Sequence, residues 1–299
     1  MQPASEKSCR LLAELLATQA PGDGFCESPL AGVRYARAVR PYPLAPVLYE
    51  PSIVLLASGR KRAVFGDTAH SLDPGHYWVV SVPLAFSCQT LATAEEPLYG
   101  LSVRVEPAVL GELLLAMDDA PDEAGPDAAG MCASAMTPEI ADAAVRLARV
   151  LAVPRTARIL GPGIVREIVF RVLEGRQGRA LRALAAHNGR LRPVSRALQR
   201  IHLDFNEELD VEALAREAHM GLSTFHHAFR AVTATTPLQY LKAVRLHKAR
   251  SYLAEPGATA REAALRVGYA SASQFSREFK RLFGASPSEE LGRLKGGTG

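Results

Sequence analysis

Apolar positions change their period along the chain, and each change marks a predicted element. Between residues 7 and 19, Leu11, Leu12, Leu15 and Leu16 fall on one side of a short amphipathic helix. From Gly32 to about Val105 the pattern becomes strand-like. Residues 53–57, 62–65, 76–82 and 99–105 are short runs rich in β-branched and aromatic side chains. Turn signals separate them at Ser58-Gly59, Gly66-Asp67 and Asp73-Pro74-Gly75. Short strands at this spacing predict a barrel or a sandwich. Glu106-Pro107 ends the strand region, and helical periodicity returns over 108–117, 138–151, 163–173, 179–186 and 193–205. Residues 118–130 read as a flexible acidic loop.

The last third carries one pattern twice. Phe225, Phe229 and Pro237 recur fifty residues on as Phe275, Phe279 and Pro287. Leu241 is matched by Leu291, Arg230 by Lys280 and Thr236 by Ser286. Each copy predicts an Ala-rich helix, a glycine turn and a second helix. In the first copy Asp210 is the expected N-cap, with Glu212 in the first turn, and Leu214 and Ala218 share a face. Gly221 is expected to supply the left-handed backbone that ends this helix, and Ser223 to cap the next. In the second copy Gly268 makes the turn and Ser271 is the cap. Each copy is a helix-turn-helix whose second helix keeps a polar side free for a major groove.

Residues 195–291 resemble the DNA-binding domain of the AraC/XylS family of bacterial transcription regulators, which has two helix-turn-helix units joined by a long helix. The matching strings are residues 231–250, opening Ala-Val-Thr-Ala-Thr-Thr-Pro, and 267–284, opening Val-Gly-Tyr-Ala-Ser-Ala-Ser-Gln-Phe. One departure is Ala234, where the family often has a glycine matching Gly284; alanine is less comfortable there with positive φ. The stretch from Tyr49 to Val80 resembles the cupin-like N-terminal domain of one AraC-type subfamily. The resemblance implies an α+β chain. Residues 1–192 would form a cupin-like β-barrel with flanking helices, and 193–299 an all-α domain with two helix-turn-helix units joined by a long helix. It also implies sequence-specific binding of double-stranded DNA, a small-molecule effector, a homodimer, contact with RNA polymerase, and no catalytic activity; the helices after the barrel are candidates for the dimer interface, or pack only on their own barrel.

Charge agrees with that division. Residues 193–299 hold 15 Lys and Arg against 11 Asp and Glu, whereas the preceding 192 residues hold 20 of each, so the whole excess of +4 sits on the duplicated part. The length of 299 residues fits two domains, and 48% apolar residues allow sizeable cores. Cys9, Cys26, Cys88 and Cys132 have no metal or redox spacing, which fits a reduced cytoplasmic protein. No signal peptide and no run of membrane-spanning length is read. A metal-dependent cupin enzyme fused to a DNA-targeting module is one alternative; a constitutive regulator with a purely dimerising N-terminal domain is another. The enzyme needs a His-x-His pair, a nearby Glu and a third His. Here His70 and His76 are six apart and His187 stands far off, so neither metal nor cofactor is expected. Cys88 reads as a small buried hydrophobe.

The DNA-contacting set follows from the outward positions of the second helices. In the first unit these are Ser223, Thr224, His226, His227 and Arg230; in the second, Ser271, Ala272, Ser273, Ser276, Arg277 and Lys280, with Arg281 beside them. Arg277 is expected to read a base, because its fork matches both guanine acceptors. Arg230, Lys280 and Arg281 are expected to hold phosphates. Adjacent helical residues point about 100° apart, so His226 and His227 make a poor metal pair. Gln239, Tyr240 and Arg245 on the connecting helix are expected to be structural.

Overall fold

The computed structural model describes residues 6–65, 68–117, 131–185 and 191–296. Its Cα positions fall into two compact units, Met1–Leu44 with Tyr49–Arg192, and Pro193–Gly299 with Ala45–Leu48. The expected acidic loop at 118–130 and His187 lie outside the described residues.

The first part of the chain runs α1 (Glu6–Gln19), β1 (Gly24–Glu27), β2 (Val33–Ala38), β3 (Tyr42–Tyr49), β4 (Ser52–Ser58), β5 (Arg60–Phe65), β6 (Thr68–Leu72), β7 (His76–Val80), β8 (Leu84–Leu91), β9 (Leu98–Arg104), α2 (Pro107–Ala116), β10 (Met131–Ala135), α3 (Pro138–Leu151), α4 (Pro154–Glu174) and α5 (Gly178–Ala185). Two sheets form, in the orders β1-β2-β9-β4-β7-β10 and β3-β8-β5-β6. The expected cupin-like barrel is therefore a pair of sheets, and no ladder among the described residues closes them into a ring.

Burial explains the strand patterns. Ile53, Leu55, Tyr77, Val79, Leu101 and Val103 share a core with Leu12 and Leu16 of α1, Ile140 and Leu147 of α3 and Ile168 of α4. The alternate residues Val54, Leu56, Trp78 and Val80 are buried too, so this sheet is covered on both faces and reads as continuous apolar runs. Edge-on ring contacts from Trp78 to Phe86 (6.4 Å) and from Phe25 to Tyr49 (5.4 Å) join its inner face to the four-stranded sheet. In β5, by contrast, only Lys61, Ala63 and Phe65 alternate inward. Gly59 makes the β4–β5 turn at φ +69, where a β-carbon would meet the Leu98 backbone at 2.7 Å. The helix expected over 163–173 starts nine residues earlier, at Pro154, and runs through Pro162.

The second part runs α6 (Leu191–Leu203), α7 (Val211–Glu217), α8 (Leu222–Thr233), α9 (Pro237–Leu253), α10 (Ala260–Arg266), α11 (Ala272–Phe283) and α12 (Pro287–Gly296). Side chains start the helices. Asp210 accepts from the Glu212 and Ala213 amides, and Thr236 and Thr259 form capping boxes with Gln239 and Glu262. The connecting helix α9 has no single apolar face because it serves two cores. Tyr240 packs edge-on against Phe229 at 5.6 Å, while Leu246, Ala249 and Leu253 join Phe275 and Phe279.

Candidate nucleic-acid interface

Both helix-turn-helix units turn on a left-handed residue, but not the same kind. In the first unit it is His219, at φ 52, and Gly221 is instead an extended N-cap at φ −64. The expectation for Gly221 is thus corrected. Ser223 does not cap α8 either: it lies inside the helix, and the N-cap makes no side-chain bond. The reason is the length of the turn. The Met220 amide closes on the Ala215 carbonyl at 3.0 Å, as Tyr269 closes on Ala264 at 3.0 Å, but α8 then begins one residue sooner than α11 does. The fifty-residue offset holds for the second helices, and the support helices stand forty-nine apart. In the second unit Gly268 is left-handed at φ +81 and Ser271 accepts from the Gln274 amide, both as expected.

Phe225, Phe229, Phe275 and Phe279 are fully buried, which fixes the rotation of α8 and α11. At about 100° per residue, Ser223, His226, His227 and Arg230 form one stripe opposite Phe225 and Phe229, and Ser273, Ser276, Arg277 and Lys280 form its counterpart. All are exposed except Ser276, which is half-buried. Thr224 and Arg281 are exposed at the edges of the stripes, and exposed Ser271 spends its hydroxyl on its own helix. Arg277 thus stands where the first unit has His227, and Arg281 where it has Ala231.

Sequence reasoning missed the brace behind α11. Glu278, on the side facing α9, is bonded by Lys242 Nζ (2.8 Å), the Tyr269 hydroxyl (2.7 Å) and Gln274 Nε2 (3.3 Å). Burial alone would raise the Glu278 carboxyl, but these donors, Lys242 first, hold it below the usual carboxylate range. The signal in the sequence was one acidic residue amid basic ones, set against Ala228 in the first copy. The structural roles expected of α9 residues are seen. Gln239 completes a capping box, Tyr240 is buried at 2.7 Å from His202 Nε2, and Arg245 donates to the Phe205 and Glu207 carbonyls at 2.6 and 2.7 Å. Burial, then Lys248, pushes His202 down to about 4. Burial, then Arg250, does the same to His247, whose Nε2 is buried without a partner.

Among the described residues no three His, Cys, Asp or Glu side chains stand together as metal ligands, and no helix is long and apolar enough to cross a membrane. Cys88 is buried in β8, where burial raises its thiol.

Residues 29–180 match a family model described as the AraC-type transcriptional regulator N-terminus, and residues 214–293 match one for a helix-turn-helix domain. The transcriptional activator RhaS of Escherichia coli O139:H28 is 35% identical over 83 residues, which are 28% of this chain and 30% of that protein. The RCS-specific activator RclR of Escherichia coli K12 is 40% identical over 85 residues, again 28% and 30%. The aligned stretch thus spans under a third of either relative. ToxT of Vibrio cholerae in its apo form superposes with TM-score 0.62 at 12% identity, over 90% of this chain and all of that one. A ToxT structure with an unsaturated fatty acid bound gives 0.61 at 12%, over 89% and 95%.

Proposed function

We propose, for a chain that belongs to the AraC-type transcriptional regulators, that residues 193–299 bind double-stranded DNA sequence-specifically while residues 1–192 take a small-molecule effector and pair two copies. The observation that carries this reading is the pair of exposed polar stripes on α8 and α11, each backed by a buried Phe pair. Arg277 reads a base. Arg230, Lys280 and Arg281 hold phosphates, while Ser223, Thr224, His226, His227, Ser273 and Ser276 meet bases or phosphates as the groove allows. Ser271 contributes at the mouth of α11. The fatty acid bound by ToxT supports an effector for the N-terminal part. Exposed Val153, Ile159 and Leu160, around the start of α4, support pairing through that helix. The relatives' role as transcriptional activators supports contact with RNA polymerase, a cytoplasmic location and a regulator rather than an enzyme.

Geometry gives the test. The 17 residues of α9 span roughly 25 Å at 1.5 Å per residue. With the helix ends added, α8 and α11 would lie about 34 Å apart, one turn of B-DNA. One chain then reads two subsites about ten base pairs apart on one face of the duplex. The preferred duplex is selected from random DNA with the full chain, and affinity is followed by fluorescence anisotropy. Inserting about five base pairs between subsites removes most specific affinity, and inserting about ten restores little, because α9 does not lengthen. Full affinity after the shorter insertion would overturn the two-subsite reading.

A further inference from the structure

Lysine is rarely buried without an anionic partner, because its charge loses its hydration on leaving water. Lys61 is such a lysine. It is 9% exposed, on the inward face of β5, and among the described residues no carboxylate reaches it. Among the described residues its Nζ reaches the Tyr49 hydroxyl at 3.5 Å and the Thr90 hydroxyl at 3.4 Å, both at the long limit of hydrogen bonding, and the Cys88 thiol lies near enough to feel its charge. It lies 5.3 Å from the centroid of the Phe25 ring. The Arg34 guanidinium sits 4.9 Å from the same ring, also without an ion pair among the described residues. Two cations therefore share one aromatic side chain, and among the described residues neither has a carboxylate partner.

The surroundings are aromatic. Phe25, Tyr49, Phe86 and Trp78 form a chain of edge-on ring contacts between the two sheets. Trp78 is fully buried, and among the described residues its indole Nε1 has no hydrogen-bond partner. A buried ammonium and an orphaned N–H in an aromatic lining complement a charged acceptor carried on an apolar body. We propose that the space between the sheets binds a small organic carboxylate, with Lys61 and Arg34 as charge partners and the Trp78 indole as a further donor. Burial lowers the Lys61 pKa, and an arriving carboxylate would oppose that shift. This rests on the reading that the N-terminal part takes an effector, and it names the ligand's class and anchor.

Trp78 is the only tryptophan in the chain, so emission excited selectively at tryptophan reports on this interior. The full chain is titrated with benzoate, phenylacetate and cyclohexanecarboxylate, and with benzamide as the uncharged match. At least one carboxylate should change emission saturably and raise the melting temperature, and benzamide should bind at least about tenfold more weakly than benzoate. Lys61→Met should lose about tenfold or more of the carboxylate affinity, yet melt at the same or a higher temperature, because an uncompensated cation is gone. The benzoate–benzamide comparison needs no variant, so it decides even if Lys61→Met fails to fold. Equal responses to acid and amide, no response to any of the three acids, or full affinity in Lys61→Met would overturn the proposal. A neutral ligand that shifts Trp78 emission regardless of Lys61 would overturn the anion assignment and leave the effector reading standing.

Discussion

Phe225 and Phe229 in the first helix-turn-helix unit pack at 5.6 Å, and Phe275 and Phe279 in the second at 5.5 Å. Around these matched cores the two units are braced differently. The first places non-glycine residues, His219 and Ala234, in left-handed conformations and starts α8 without a side-chain cap. The second uses Gly268 and Gly284 at those turns, caps α11 with Ser271 and ties Glu278 to α9 through Lys242. Its outward stripe is also the more cationic, with Arg277 and Lys280 against Arg230 alone. A shared core pattern can thus support one unit built for rigid presentation and another that stores backbone strain.

The largest expected effect is a pH response that both units share. His202 serves the first unit and His247 the second, both pushed down to about 4 from 6.5 by burial. Below the ordinary value the unfolded chain binds protons that the folded chain does not. Their stabilising effect is therefore complete above about pH 6.5 and is lost as pH falls toward about 4, by several kcal/mol in order of magnitude for the pair. Urea midpoints of the helical unit at pH 7 and pH 5 check this. His247→Leu should remove about half the dependence; an unchanged slope would show that the second unit is not the sensitive one.

Next is the turn. A β-carbon at Gly268 would collide with the Asn206 carbonyl, and Arg245 holds the flanking carbonyls in place. Gly268→Ala should cost about 3 kcal/mol or more, whereas Gly284→Ala, with open space around it, should cost about 1. Equal costs would mean that the Asn206 contact yields. On DNA, Arg277→Ala should lose about 1–3 kcal/mol on the selected site and relax one base position, with less lost for His227→Ala. Lys280→Ala should weaken all sequences alike and lower the salt slope by about one. An Arg277→Ala loss equal on selected and random duplexes would remove its base-reading role. The smallest effect is Ala234→Gly, which should stabilise the first unit by about 0.5–1 kcal/mol in urea denaturation by relieving φ 55. No gain would mean that the strain is already relaxed.

Strands β4, β5, β7 and β9 were legible because their β-branched and aromatic runs are local signals. Strands β2, β3 and β6 lie inside the strand-like stretch from Gly32 to Val105 without a distinct run of their own, and β1 and β10 lie outside it. Strand β3 contains Pro43 and Pro46 and is tolerated because it lies at a sheet edge. Strand β10 exists through its register with β7, Met131 opposite Val80, which no local pattern announces. The outward stripes were legible from the spacing of the Phe pairs, since helical geometry alone sets which residues oppose them.

The sequence by itself determined the duplication, the rotation of α8 and α11, the caps at Asp210 and Ser271 and the discomfort at Ala234. All but the duplication depend on residues within one or two helical turns. Tertiary structure alone decided that Asn206 presses on Gly268, that Glu278 meets Lys242 and that Lys61 is buried with no carboxylate in reach among the described residues. Those outcomes depend on which distant segments are brought into contact. Excluded volume and desolvation act there between groups that no local period relates.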